Sequence, residues 1–353
     1  MNTIKRPALG RSWYTPSHVW AASYLLYAVV LFMLPGWGSY QVAMHATLPL
    51  AAKVPLIVLL TVLSGYGLNM MGFVGHEGTH GSLFRNRKLS ALTGIFFASA
   101  VPTYFEMGFA VSHWNHHRYT NQDGDPDPGP VMGLKTWWQR LLFTRPIYNT
   151  LYFKHTLELA RGKETHFKYK MAYSQPDQVL FARANFVFAL LWLAAYVAVL
   201  VYDWRLGVLA VVLPSLTVNF IGACQIYIDH AGVGSGVFNN AWSRTSPLMT
   251  ILFFGANYHL EHHAYPGIPC YRLPALARWL RASDTYGAIQ PPVQRGFLGA
   301  FVPLTLPYVI NRSSADFDAF RSAAEDTESP LGDAHGGRNT APSDLSGAKP
   351  NHV

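Results

Sequence analysis

Residues 48–75 read LPLAAKVPLIVLLTVLSGYGLNMMGFVG and run straight into HEGTH at 76–80. Crossing a bilayer as a helix takes about 20 mostly apolar residues. Leu48 to Gly75 meets that length, and Lys53, its one charged residue, lies near the start where its stem can snorkel to the interface. The reading is a membrane helix that delivers two histidines and a glutamate at its end. Four further apolar runs lie around it: Val19 to Trp37, Ala91 to Val111, Val179 to Val201 and Leu206 to Ile228. The last two are joined by a few residues around Asp203 and Arg205 and form a hairpin.

Composition agrees. The 353 residues are 50% hydrophobic and 13% charged, against about 25% charged in an average soluble domain. The net charge of +8, 27 Lys and Arg against 19 Asp and Glu, sits beside the apolar runs. It therefore reads as attraction to a membrane face, and no nucleic-acid motif accompanies it. Cys224 and Cys270 are too few for a disulfide framework in a chain this long. Lys5, Arg6 and Arg11 precede the first run, which has no obvious cleavage site and reads as a retained helix.

Positive charge sets the expected orientation. Arg85, Arg87 and Lys88 follow the second run, and 118–170 is rich in Lys and Arg. The termini and 76–178 are accordingly expected in the cytoplasm. Ala91 to Val111 contains Pro102 and Glu106. If it crossed the membrane, the histidines on its two sides would be separated. The expectation is a re-entrant or interfacial segment, with an ordinary span as the alternative. The fold class is thus an all-α integral membrane protein with about four transmembrane helices. A re-entrant or interfacial segment and a cytoplasmic helical cap holding metals complete it. The domain plan is a cytoplasmic N-terminus (1–18), a membrane domain with its cap (19–311) and a disordered tail (312–353), too poor in large apolar residues to fold alone.

Nine of the 15 histidines form a pattern: His76 and His80 in HEGTH; His113, His116 and His117 in HWNHH; His259, His262 and His263 in HLEHH; and His230 in YIDHAG. Residues three and four apart share a helix face, so each cluster is expected to aim its imidazoles at one point. Nine exceed the four ligands that satisfy one zinc and suit two metals. Imidazole accepts Fe, Cu, Zn and Ni, so ligand type leaves the metal open. HEGTH also fits the zinc-protease pattern H-E-x-x-H, with Glu77 as base, but that leaves the other clustered histidines unused. A metal transporter would carry ionisable ligands inside its spans, which are nearly free of them here.

The stretches GHEGTHGSLF, HWNHHRYTNQDGDPD and NYHLEHHAYPGIPCYRLPAL resemble the three histidine boxes of the membrane-bound fatty acid desaturase superfamily. The resemblance runs from about Leu48 to Leu280. It implies a non-haem centre of two Fe ions, ligated by the nine histidines, that uses O2 to attack an unactivated C–H bond. No catalytic residue separate from the ligands is implied. Family membership implies a long-chain fatty acyl substrate desaturated to a C=C bond; carotenoid hydroxylases and ketolases of the same superfamily are the alternative. His230 stands where many members place an additional metal-binding histidine. Asp125, Asp127, Asp229 and Glu261 are candidates to hold ligand imidazoles from behind. The two cysteines cannot hold an iron–sulfur cluster. The expected electron source is a separate protein, ferredoxin or cytochrome b-type; the basic cytoplasmic face that includes Arg85, Arg87, Lys88 and Arg118 reads equally as its docking surface or as the ordinary positive-inside bias.

Overall fold

The computed structural model describes residues 6–167, 169–283, 286, 291–296 and 298–305; the tail expected at 312–353 lies outside them. Helices dominate: α1 (His18–His45), α2 (Leu50–Thr79), α3 (Arg87–Ala98), α4 (Glu106–Tyr119), α5 (Trp137–Ala160), α6 (Gln175–Tyr202) and α7 (Trp204–His230). Shorter helices follow, among them α8 (His259–Ala264) and α9 (Leu273–Ala282). Among the described residues the only β-ladder is the parallel pair of β1 (Ser243–Arg244) and β2 (Val293–Gln294).

Among the described residues, four helices are long and apolar enough to cross a membrane: α2, α6, α7, and α1 continued back to Arg11. Each covers most of the apolar run that announces it and passes that run's C-terminal end, by one residue in α6 and by eight in α1. Their outward faces keep large apolar side chains exposed, among them Leu26 and Met33 on α1, Val58 and Leu59 on α2, and Leu190, Leu191 and Val201 on α6. Water would penalise that surface, whereas lipid is its natural solvent. The protein is an all-α, multi-pass membrane protein.

The run from Ala91 to Val111 is not one helix. It is divided between α3 and α4 by a break over 99–105, where Pro102 lies and Thr103 adopts φ 66°, a left-handed conformation unusual for a β-branched residue. Buried irregular backbone must find partners, and α6 supplies several. Trp192 Nε1 donates to Phe96 O at 2.9 Å, Tyr196 Oη to Ala100 O at 2.6 Å, and Asn185 Oδ1 accepts from Met107 N at 3.0 Å. The hairpin returns to the level it left. Gly94 of α3 packs on Gly78 of α2 so closely that a Cβ on either would meet the other's Cα within 2.8 Å. At the far end of α4, His113 reaches His76. The glycine of HEGTH is therefore a packing requirement for α3.

Candidate metal centre

The histidines arrive on four helices and meet. His76 and His80 end α2, the second cluster lies on the last two turns of α4, His230 ends α7, and the third cluster occupies α8. All but His117 are buried. They sort into two sets. The nitrogens of His76, His80, His113, His117 and His262 lie within 4.8 Å of one another, and so do those of His116, His230 and His263. His259 joins the second set, with its Nε2 3.0 Å from that of His230 and 3.1 Å from that of His263. The sets abut: the His117 and His263 ring centroids are 4.3 Å apart.

The expectation that each cluster aims at one point is corrected here. Each H-x-x-H-H cluster is shared between the sets. In α4, His113 and His117 go to the first and His116 to the second; in α8, His259 and His263 go to the second and His262 to the first. The reason is helical geometry. Successive residues are rotated by about 100°, so the adjacent pair in H-x-x-H-H diverges, whereas the i, i+4 pair stays within about 40°. The motif serves two centres for that reason.

The second set has firm outer supports. His116 Nδ1 lies 2.9 Å from Asp125 Oδ1 and 3.5 Å from Asp127 Oδ2. Asp125 is itself fixed, accepting from Asn121 N at 2.7 Å and Asp127 N at 3.0 Å. His230 Nδ1 lies 3.0 Å from Asn240 O. These contacts leave each Nε2 facing the set, where those of His116 and His230 are 3.0 Å apart. Thr120 Oγ1 lies 3.1 Å from His263 Nδ1.

Asp229 and Glu261 do not hold imidazoles. The Asp229 carboxylate faces Arg244 at 3.4 Å, and Glu261 accepts from Ser243 Oγ and from Tyr286 Oη, bracing the third cluster against the β1 segment. Glu77, the base of a zinc-protease reading, accepts from Ser82 Oγ at 2.8 Å and Cys270 N at 2.9 Å. It ties the first cluster to the segment after the third, with its other oxygen 3.4 Å from His76 Nδ1. Asn115 and Asn257, conceivable holders of a metal-bound water, bond backbone carbonyls instead, Asn115 at Val111 and Tyr169 and Asn257 at Arg244.

Electrostatics favours neutral imidazoles. Burial, and then the neighbouring rings, push His113, His117, His259, His262 and His263 well below the usual histidine range. His116 is the exception. Burial acts to lower it, but Asp125 and Asp127 outweigh burial and bring it to about 9. Both ring nitrogens of His80 and of His262 are buried without a hydrogen-bond partner among the described residues. Native proteins rarely leave buried polar atoms so, and a cation among neutral nitrogens would satisfy them. Nitrogens 3.0 Å apart can share one ion at bonds of about 2.1 Å. The residues present fit a metal site.

Below the histidines lies a cavity of about 120 Å³. Phe73, Val101, Phe109 and Val218 supply apolar wall, and His76 and His113 of one set and His116, His230 and His259 of the other face into it. Asn69 lies seven residues before His76 and Gly222 eight before His230. At 1.5 Å per residue the cavity therefore descends about 10 Å from the imidazoles along α2 and α7. Sequence reasoning missed three polar or aromatic residues of this cavity, Arg145, Tyr104 and Tyr152. No spacing marks them; the crossing of α5 with α7 brings Arg145 there, and the packing of α5 on α4 brings Tyr152.

The sequence profile described as "Fatty acid desaturase" matches residues 53–293, a stretch that contains every histidine of both sets. The chain belongs to the fatty acid desaturase family. Among curated proteins, it is 24% identical over 246 residues to a Delta(6)-fatty-acid desaturase of Caenorhabditis elegans, covering 60% of this chain and 55% of the relative. It is 25% identical over 285 residues to a Delta(8)-fatty-acid desaturase of Euglena gracilis, covering 69% and 66%. A Delta(5) fatty acid desaturase of Caenorhabditis elegans is 21% identical over 247 residues, covering 60% and 54%. This member of the family spans between half and two thirds of the length of these relatives.

Proposed function

We propose that the protein is an oxygen-dependent desaturase of long-chain fatty acyl groups, with two iron ions held by the nine histidines. The observation that carries the reading is the meeting of two imidazole sets, five and four nitrogens strong, at the head of one apolar cavity. Family membership and the relatives' names support the reaction class.

His76, His80, His113, His117 and His262 would hold one ion, and His116, His230, His259 and His263 the other. Iron there supplies what no side chain offers, the redox power to use O2 against an unactivated C–H bond. The protein's own part is positional. Burial keeps rings such as those of His113 and His262 unprotonated and available as electron-pair donors. Asp125 fixes the ring of His116 and directs its Nε2 inward. Phe73, Phe109 and Val218 seat the alkyl chain beneath the rings and exclude water. Formation of the C=C bond removes two protons and two electrons from the chain; a donor protein supplies two further electrons, solvent supplies two further protons, and O2 leaves as two water molecules. The donor would be a ferredoxin or cytochrome b-type protein. It would dock on the face carrying Arg85 and Lys88, which is cytoplasmic by the positive-inside bias.

The test is expression of the full chain in a host of known lipid content, with iron counted in the purified protein and double bonds located in the lipids. About two irons per chain and a new double bond that depends on O2 are expected. A metal-loaded protein that leaves every acyl lipid unchanged but hydroxylates a carotenoid would overturn the substrate assignment.

A further inference from the structure

Arg145 projects from α5 into the cavity near its deep end, next to Gly222 of α7: a Cβ on Gly222 would lie 2.5 Å from Arg145 Nε. Its guanidinium lies over the Tyr104 ring, 5.2 Å from the centroid. Among the described residues it makes no hydrogen bond or ion pair. The carboxylates that line the same cavity have other partners, Asp229 facing Arg244 at 3.4 Å and Asp127 facing His116 at 3.5 Å. Glu106, the remaining carboxyl group close by, bonds Thr79 Oγ1 at 3.2 Å and feels the Arg145 charge, but burial raises it to about 8, so it offers little negative charge at neutral pH. The cavity is walled by both apolar and polar side chains, and a half-buried guanidinium facing it is costly to keep without a paired counter-charge. Its planar fork of donors matches a carboxylate or a phosphate.

We propose that Arg145 anchors the acidic end of the acyl substrate, a carboxylate or a phosphate-bearing head, while the alkyl chain passes beneath the imidazoles. Gly222 stands eight residues before His230, so the anchor lies about 12 Å from the histidines along α7. Anchor and imidazoles together would then fix which carbons the reaction reaches, counted from the acidic end. Gly222 is part of the device, because any side chain there would displace the guanidinium.

This inference rests on the acyl-substrate reading, and its test does not require turnover. Equilibrium binding of radiolabelled palmitic acid, methyl palmitate and 1-palmitoyl lysophosphatidate is measured on the full chain in detergent, with and without metal. Wild type, Arg145→Gln and Arg145→Lys are compared. Arg145→Gln is expected to weaken the acidic probes about 10- to 100-fold, the usual worth of a hydrogen bond to a charged group. Methyl palmitate should change less than about 3-fold, and Arg145→Lys should retain part of the preference. The acidic probe lost more heavily identifies the source, fatty acid or phospholipid. Equal losses for acid and ester, or no loss for either acid, overturn the anchor. If wild type binds the acids through Arg145 yet desaturates nothing, the anchor stands and the proposed reaction falls.

Discussion

The division of each histidine cluster between two centres predicts a specific pattern of metal loss. His116 and His117 are neighbours in sequence, but His116 Nε2 lies 3.0 Å from His230 Nε2, whereas His117 Nε2 lies 2.8 Å from His113 Nε2. Removing His116 leaves its set three imidazoles, and removing His117 leaves the other set four. Four ligands suffice to hold one ion and three hold it less well. His116→Ala should therefore purify with about one iron per chain instead of about two and should show no turnover. His117→Ala should keep more than about 1.5. The stronger test uses pairs, since side chains serving one site are non-additive and independent sites add. His116→Ala with His230→Ala should be no worse than His116→Ala alone, because the same ion is lost twice. His116→Ala with both His80→Ala and His262→Ala should fall to nearly none. Iron is counted by elemental mass spectrometry against protein after dialysis with a weak chelator, and membrane insertion is checked by fractionation. A single-centre arrangement would give the opposite pattern. Loss of all iron in His116→Ala with His230→Ala, or equal iron in His116→Ala and His117→Ala, refutes the division.

Three further predictions follow from particular contacts. Asp125→Asn exchanges the carboxylate 2.9 Å from His116 Nδ1 for an amide and should weaken metal binding at the four-histidine set about 10- to 100-fold, read by competition with a graded chelator; unchanged affinity would remove Asp125 from the site. Burial raises the Glu106 carboxyl from 4.5 to about 8, so folding stability is full below pH 4.5 and falls as the pH rises through 8. Glu106→Gln escapes that loss, and its stability advantage over wild type should grow between pH 5.5 and 8.5 by at least about 1.4 kcal/mol, one pKa unit's worth; a pH-independent difference in thermal unfolding would contradict it. Exposed Leu89 and Asp123 lie on either side of the 91–111 segment, and cysteines placed there, with Cys224 and Cys270 replaced, should react with an impermeant thiol reagent from the same side of the membrane, whereas labelling from opposite sides would make 91–111 a span.

The sequence alone determined the spans and the histidines. An apolar run such as Val179 to Val201 can satisfy its backbone in lipid only as a helix, and its length is legible because the bilayer sets it. The nine imidazoles were legible because the i+3 and i+4 spacings are local and need no knowledge of the rest of the chain. The need to return His113 to the side of His76 was legible too, and Pro102 with Glu106 marked the place. Tertiary structure decided the rest. Which of His116 and His117 joins which set depends on where α7 and α8 deliver His230, His259 and His262. Asp125 and Asp229 each stand beside or near a clustered histidine in the sequence, yet one supports an imidazole and the other faces Arg244, a residue 15 positions away along the chain. Gly78 reads as a flaw in a helix until Gly94 is packed against it. Arg145 carries no signal at all: a basic residue beside Pro146 in a basic segment looks like any other, and only the crossing of α5 over α7 turns it into the cavity. Local periodicity is written in one stretch of chain, whereas partners distant in sequence are chosen by packing.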